Sequence, residues 1–379
     1  MNSLDPLSEE YIRIHSLRFL RAINRSFQGA REPSAYVPIS SIMENSEENG
    51  TQSVHRPSTV WNDLPYAAHW NFFKNYLLMR FYATCGIKYL TTKLFCTREV
   101  LKFGPFSLDD KAPFELHILT SKSDVQLCLW ALASWYGLGK RSDRLCIHED
   151  GSISPQDCQV FRRMFPGCRI VTKSEADEVA AQKLNSHPRV KSYRDKFNAA
   201  MKLLDFAFFS STKDFLLMDS DVLTLGSVEG IDGCLAGARN VFMTDIQYAL
   251  TLSRSRFEEL GCGQVFLPVN TGFGKVLGGT LDLDRVDFIL ERAPEILVSA
   301  QAEQTLYALL SAPFGVKLLG PEFNICCGFG VKNTTMKHYV TSTRRLAYVE
   351  GIPTVQAGLT LRYGTSSHWL LGHKGIKTS

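Results

Sequence analysis

The segment KDFLLMDSDVLTL (213–225) ends an apolar run on two carboxylates, Asp219 and Asp221, with only Ser220 between them. Carboxylates two apart at the rim of a sheet offer oxygen ligands to a hard cation. Mg²⁺ or Mn²⁺ held in that way keeps positions open for phosphate oxygens. The same residues can equally make a solvated turn, and spacing alone does not choose. The chain carries its own comparison in TLDLDRVDFILERA, where Asp282 and Asp284 precede an amphipathic run through Val286, Phe288, Ile289 and Leu290. Carboxylates there stabilise the positive end of a helix, so that pair reads as a cap. The pair at 219 has another setting. Met218 and Val222 flank it, and a charged carboxylate at the end of a buried strand is costly unless paired or metal-bound.

What must position such a pair is the stretch before it. Leu116–Thr120, RLCIHED (144–150), CRIVT (168–172) and FLLM (215–218) read as short buried strands. Between them lie helical patterns: SDVQLCLWALASWYGLG, SPQDCQVFRRMF with Ser154 as cap and Pro155 at the first position, SEADEVAAQKL opened by Ser174 with Asp177 three residues on, and RDKFNAAMKLLDFAFFSS as one longer helix. This β-α alternation predicts an α/β domain with a mostly parallel central sheet covered by helices. Ligands in such sheets sit beyond the carboxyl ends of the strands, which is where Asp219 and Asp221 fall. Thr120 and Ser121 end the first strand and can reach a base or ribose. Asp124 opens the next helix, as its N-cap or as a further site residue.

Composition bounds the rest. The chain has 379 residues, 45% of them hydrophobic and 21% charged, enough for one large domain or two ordinary ones. A net charge of +4 implies no nucleic-acid partner. MNSLDPLSEE has neither a basic nor an apolar signal region, and no window is long and apolar enough to cross a membrane. The ten cysteines show no paired C-x-x-C spacing and read as reduced thiols. A cytoplasmic protein is therefore expected. An amphipathic helix near Ile12–Ile23 and a polar linker over 40–59 precede an aromatic, basic stretch from Trp61 to Phe95. That stretch reads as a buried helix pair or as a surface in peripheral contact with a membrane. The expected divisions are a helical, partly disordered extension over 1–110, the α/β domain over 111–350 and a tail over 351–379.

KDFLLMDSDVLTLGSV resembles the Asp-x-Asp strand end of nucleotide-sugar glycosyltransferases with the GT-A fold, and further pieces follow in that family's order. VNTGFGKV (269–276) resembles its Asn-x-Gly strand, AEQTLYALL (302–310) the Asp/Glu-Gln helix start near the reacting sugar, and LLGPEFN (318–324) its Leu-Pro-x-x-Tyr-Asn segment. KHYVTSTRR (337–345) resembles the late His segment of glycogenin-like retaining members, with Thr341 where a glycine is usual. The resemblance implies a GT-A-like fold over about 113–350 and a hexosyltransferase dependent on Mn²⁺ or Mg²⁺. It implies Asp219, Asp221 and His338 as metal ligands, with His368 or His373 as competitors for the third place. Arg344 would meet the diphosphate. Thr120, Ser121, Lys196 and Asp219 would contact the donor, a UDP-sugar, and Glu303, Gln304 and Asn270 would stand at the reacting sugar. The acceptor would be a glycan, a lipid-linked glycan or a protein, with retention of configuration. Two rivals stay open: a nucleotidyltransferase acting on sugar phosphates, against which LTSKSDVQ (119–126) lacks the glycine-rich phosphate loop, and a non-catalytic binding protein of the same fold.

Overall fold

The computed structural model describes residues 86–364, apart from 326–329 and 341–342. The segments at 12–23 and 40–59, most of 61–95, and Thr341, His368 and His373 therefore lie outside the described residues.

The apolar runs become strands buried on both faces. β1 (Glu115–Thr120), β2 (Arg144–Glu149), β3 (Arg169–Val171) and β4 (Phe215–Asp219) pair in parallel, β1 lying between β2 and β4. β5 (Val222–Thr224) follows β4 after a two-residue turn. β6 (Asn240–Thr244), β7 (Val269–Val276) and β8 (Val316–Leu318) extend the large sheet, giving the order β3-β2-β1-β4-β7-β6-β8. β7 runs antiparallel to both β4 and β6, while β8 is parallel to β6. The expected mostly parallel α/β sheet flanked by helices is present.

Alternation along β4 divides the core. Leu216 and Met218 face Trp130, Trp135 and the helix Ile352–Tyr363, while Phe215 and Leu217 face the helices Ala199–Phe209 and Ala302–Leu310. Residues 352–363, which the sequence places in a tail, thus add Ile352, Val355 and Leu359 to the first core layer. No helix among the described residues is long and apolar enough to cross a membrane.

Two local readings change. The helix Lys173–Lys183 is capped by Thr172, whose hydroxyl accepts from Glu175 N, rather than by Ser174. The residues from Arg194 to Ser211 form no single helix. Pro188–Lys196 ends at Phe197, which is extended (φ −128°, ψ 114°), and Ala199–Phe209 begins afresh. The break folds one helix back on the other, and Arg194 clasps the buried Asp205 with two bonds of 2.8 Å. Ser154 does cap Pro155–Met164, in a capping box with Asp157.

β9 (Phe323–Ile325) and β10 (Met336–His338) join β5 in a second sheet, order β5-β10-β9. β10 is antiparallel to β5, so His338 pairs with Val222 directly beside the aspartate turn. Tyr339 N bonds Asp221 O at 2.9 Å and completes the attachment.

Candidate metal and donor site

β4 and β5 present Asp219 and Asp221 on either side of Ser220, and β10 brings His338 to them. Ligand atoms of the three residues lie within 4.8 Å of one another. His338 Nε2 stands 3.2 Å from Asp221 Oδ1 and 3.5 Å from Asp219 Oδ2. Its Nδ1 is 2.8 Å from Asn270 Oδ1, and Asn270 Nδ2 donates to Asp245 Oδ2 at 3.0 Å. Because Asp245 accepts from the amide nitrogen, the Asn270 oxygen must face the histidine. That makes Nδ1 the donor and turns Nε2 toward the carboxylates. Gly272 allows this approach. A Cβ there would overlap His338 Nδ1 and stand 2.6 Å from Cε1 and 2.8 Å from Asn270 Oδ1.

Asp221 is buried. One oxygen, Oδ2, accepts from Arg344 Nε at 2.8 Å, while the other, Oδ1, is buried with His338 Nε2 beside it at 3.2 Å. Burial pushes the Asp221 carboxyl up, but His338 and Arg344 outweigh it and hold the group down at about 2. On His338, burial pushes down while Asp221 and Asp219 push up more strongly, so its value lies above the usual imidazole range. An ionised, buried carboxylate whose second oxygen faces an imidazole oriented from behind suits a divalent cation.

Arg344 also reaches Asp124 at 3.2 Å, bridging it to Asp221. Asp124 sits at the start of the helix Val125–Ala133 but makes no side-chain cap bond.

The site's principal lysine is Lys202, on the buried face of Ala199–Phe209. Its ammonium pairs with Asp219 Oδ1 at 2.7 Å and Glu303 Oε1 at 3.4 Å, and donates to Thr271 O at 3.3 Å. Lys196, by contrast, is exposed on the helix before the break and does not line the cleft. The uninterrupted helix read from the sequence concealed this exchange. Counting lysines on the apolar stripe of MKLLDFAFF would have favoured Lys202.

These residues line a cleft of about 850 Å³. Thr120 and Ser121 stand on its wall, as do Asn270, Glu303 and Gln304. Glu303 Oε2 accepts from Thr271 Oγ1 at 2.9 Å; burial pushes its carboxyl up, and Lys202 offsets only part of the rise. Gln304 ties two backbones, accepting from Thr271 N at 3.3 Å and donating to Ala249 O at 2.8 Å. The comparison pair at 282 lies elsewhere: Asp282 caps Leu283–Arg292 through Arg285 N, and Asp284 is exposed beside His187.

No family model matches the sequence, and no curated protein matches it. Similar solved structures include mouse xyloside xylosyltransferase 1 in its apo form, at 13% identity, 61% of this chain, 98% of that one and a TM-score of 0.41. The galactosyltransferase LgtC in complex with donor and acceptor sugar analogues is 13% identical, over 65% of this chain and 96% of that one, with a TM-score of 0.39. Core-mannan synthase A from Aspergillus fumigatus, in an Mn/GDP form, is 8% identical, over 57% and 76%, with a TM-score of 0.39. Likeness at this level concerns fold alone.

Proposed function

We propose that this chain is a metal-dependent glycosyltransferase that moves a sugar from a nucleotide-sugar, a UDP-sugar, to a glycan, lipid-linked or protein acceptor with retention. The observation that carries the proposal is the convergence of Asp219, Asp221 and His338 in a cleft of about 850 Å³, with Asp221 Oδ1 buried beside His338 Nε2. That volume is within the usual range for a bound small molecule, about 300–1,000 Å³.

A Mn²⁺ or Mg²⁺ ion held by these three residues would neutralise charge on the departing diphosphate. The chain's own groups do the remainder. Arg344, released from Asp221, offers its guanidinium to a phosphate. Lys202 fixes Asp219 on one side and Glu303 on the other. Glu303, held by Thr271, faces the sugar hydroxyls and orients them. Asn270 keeps His338 in the correct tautomer, and Thr120 and Ser121 present polar atoms to base or ribose. Because Glu303 is engaged by Thr271 and Lys202, the acceptor proton is assigned to the phosphate oxygen that leaves the anomeric carbon.

The test is a donor screen that reads UDP release with Mn²⁺ or Mg²⁺ and with chelator. One or more UDP-sugars should turn over only with metal, and Asp221→Asn should lower turnover at least about 100-fold, as expected when a buried ligand is removed. Equal turnover in chelator, or in Asp221→Asn, would refute the reading.

A further inference from the structure

A second polar cluster lies inside the sheet, away from the cleft. β1 carries Glu115 and His117 two apart, and β2 carries Cys146 and His148 two apart. The register sets His117 against Cys146, so all four side chains fall on one face. His117, Cys146 and His148 have no exposed surface, and Glu115 is 4% exposed. His117 Nδ1 is 2.9 Å from His148 Nε2, and Cys146 Sγ is 3.4 Å from that same nitrogen. Phe206, Phe209 and Phe215 pack around the imidazoles, with ring centroids 4.7–5.9 Å away.

We propose that His117, Cys146 and His148 form a buried transition-metal site of the zinc class, separate from the cleft.

Four physical points support it. First, two imidazole nitrogens and a thiol converge within 4.8 Å of one another, which is the donor set of zinc rather than of Mg²⁺ or Ca²⁺. Second, Glu115 Oε2 accepts from His117 Nε2 at 3.1 Å. A carboxylate on the far nitrogen fixes the tautomer that leaves Nδ1 as a lone-pair donor, and metal-ligating histidines are oriented in this way. The carboxylate is itself held, accepting from Ser211 N at 2.7 Å. Third, charge balances: a dication, the Cys146 thiolate and the Glu115 carboxylate sum to zero in a setting where net charge is expensive. A monovalent copper ion would leave an excess negative charge. Fourth, the movement required is small. Zinc–nitrogen bonds of about 2.05 Å at tetrahedral angles hold two nitrogens about 3.3 Å apart, and zinc–sulfur bonds of about 2.3 Å hold sulfur and nitrogen about 3.6 Å apart. The rings would part by about 0.4 Å and the sulfur would shift by about 0.2 Å from His148, while the third separation, Cys146 Sγ to His117 Nδ1, lies within 4.8 Å. His148 Nδ1 has no hydrogen-bond partner, so the other nitrogen and the aromatic rings hold that imidazole.

Glu115 also borders a second cavity, at the N-terminal end of β1 and β2. This cavity of about 290 Å³ is lined by Asp110, Glu115, Arg144, Arg169 and Ser211, so Glu115 is shared between that cavity and the histidine pair. Without an ion, two histidines, a thiol and a carboxylate occupy space that apolar side chains would fill at lower cost.

The experiment uses the full chain carrying Asp219→Asn and Asp221→Asn, so the cleft contributes no ion and the outcome is independent of the reading given to it. The protein is unfolded with chelator, refolded with Zn²⁺ or Co²⁺ and gel-filtered. The expected result is one retained ion per chain and, with Co²⁺, a thiolate-to-metal charge-transfer band that Cys146→Ser abolishes. Should Cys146→Ser fail to fold, His117→Gln takes its place and should lose the retained ion. A folded parent that retains no ion or shows no thiolate band overturns the proposal. So does a band that Cys146→Ser leaves unchanged, which would place the ion at other cysteines.

Discussion

Gly272→Ala tests the metal reading through a residue that is not itself a ligand. Gly272 lies in β7, and its φ is outside the left-handed region, so alanine meets no backbone penalty there. The effect must come from the added methyl. It would overlap His338 Nδ1 and stand 2.6 Å from His338 Cε1. Ordinary carbon contacts begin near 3.4 Å, so the imidazole must withdraw by at least about 0.8 Å, and further at Nδ1, against a tolerance of about 0.2 Å in ligand distances. The bond to Asn270 Oδ1 is strained at the same time. Overpacking of this kind costs about 1–3 kcal/mol of stability. Losing the orientation of one ligand weakens metal binding by about 10–100-fold. Calorimetric titration with Mn²⁺ reads the second quantity and urea unfolding the first. Gly226→Ala is the control, because a Cβ there meets nothing within 4 Å. A folded Gly272→Ala protein that binds Mn²⁺ within twofold of the parent would refute the placement of His338 as a ligand.

Other perturbations separate the neighbouring roles. Lys202→Met leaves the buried Glu303 and the adjoining Asp219 without their shared cation, and should cost about 3 kcal/mol. That is a fall of about 6–12 °C in a thermal melt of a domain this size. Lys196→Ala, outside the cleft, should leave stability and donor turnover within about twofold, and a larger loss of turnover would restore it to the site. Glu303→Gln addresses pH. Burial holds the Glu303 carboxyl above its usual 4.5, so the folded state binds the proton more tightly than the unfolded one. The stability this contributes is fully present below pH 4.5 and is lost as pH rises through the folded value. Urea unfolding across that window should show the parent losing stability relative to Glu303→Gln, and parallel curves would contradict the shift.

Much of the site was legible because strand ends are legible. An apolar run closing on Asp-x-Asp, inside an alternating β-α pattern, places Asp219 and Asp221 at the sheet rim with no further information. The pair at 282 shows why setting matters more than spacing, since its first member is a helix cap. What stayed hidden depends on pairing across long separations. The apolar stripe around Lys202 hints at burial, but nothing local says that the chain breaks at Phe197 and leaves Lys196 in solvent. Asp245 becomes part of the site only because β6 lies beside β7 and places it against Asn270. Asp124 looks like a cap until Arg344, 220 residues later, arrives beside it. The alternation E-x-H and C-x-H on β1 and β2 was visible as a pattern, but its significance rests on the register that brings the two strands into line.

The charge of the cleft bears on the metal dependence proposed for it. Six carboxylates line it, Asp124, Asp150, Asp219, Asp221, Asp245 and Glu303, against two permanent cations, Lys202 and Arg344, and the imidazole of His338. Both permanent cations are already engaged, Lys202 by Asp219 and Glu303 and Arg344 by Asp221 and Asp124. A nucleotide diphosphate is itself an anion, and an acidic wall of this kind repels it. A dication held by Asp219, Asp221 and His338 would change the sign of the encounter. It would offset the charge of Asp221, free Arg344 for part of a phosphate contact and supply positive charge where both permanent cations are already engaged. On this argument donor affinity and metal affinity must rise together, since each supplies charge that the other lacks.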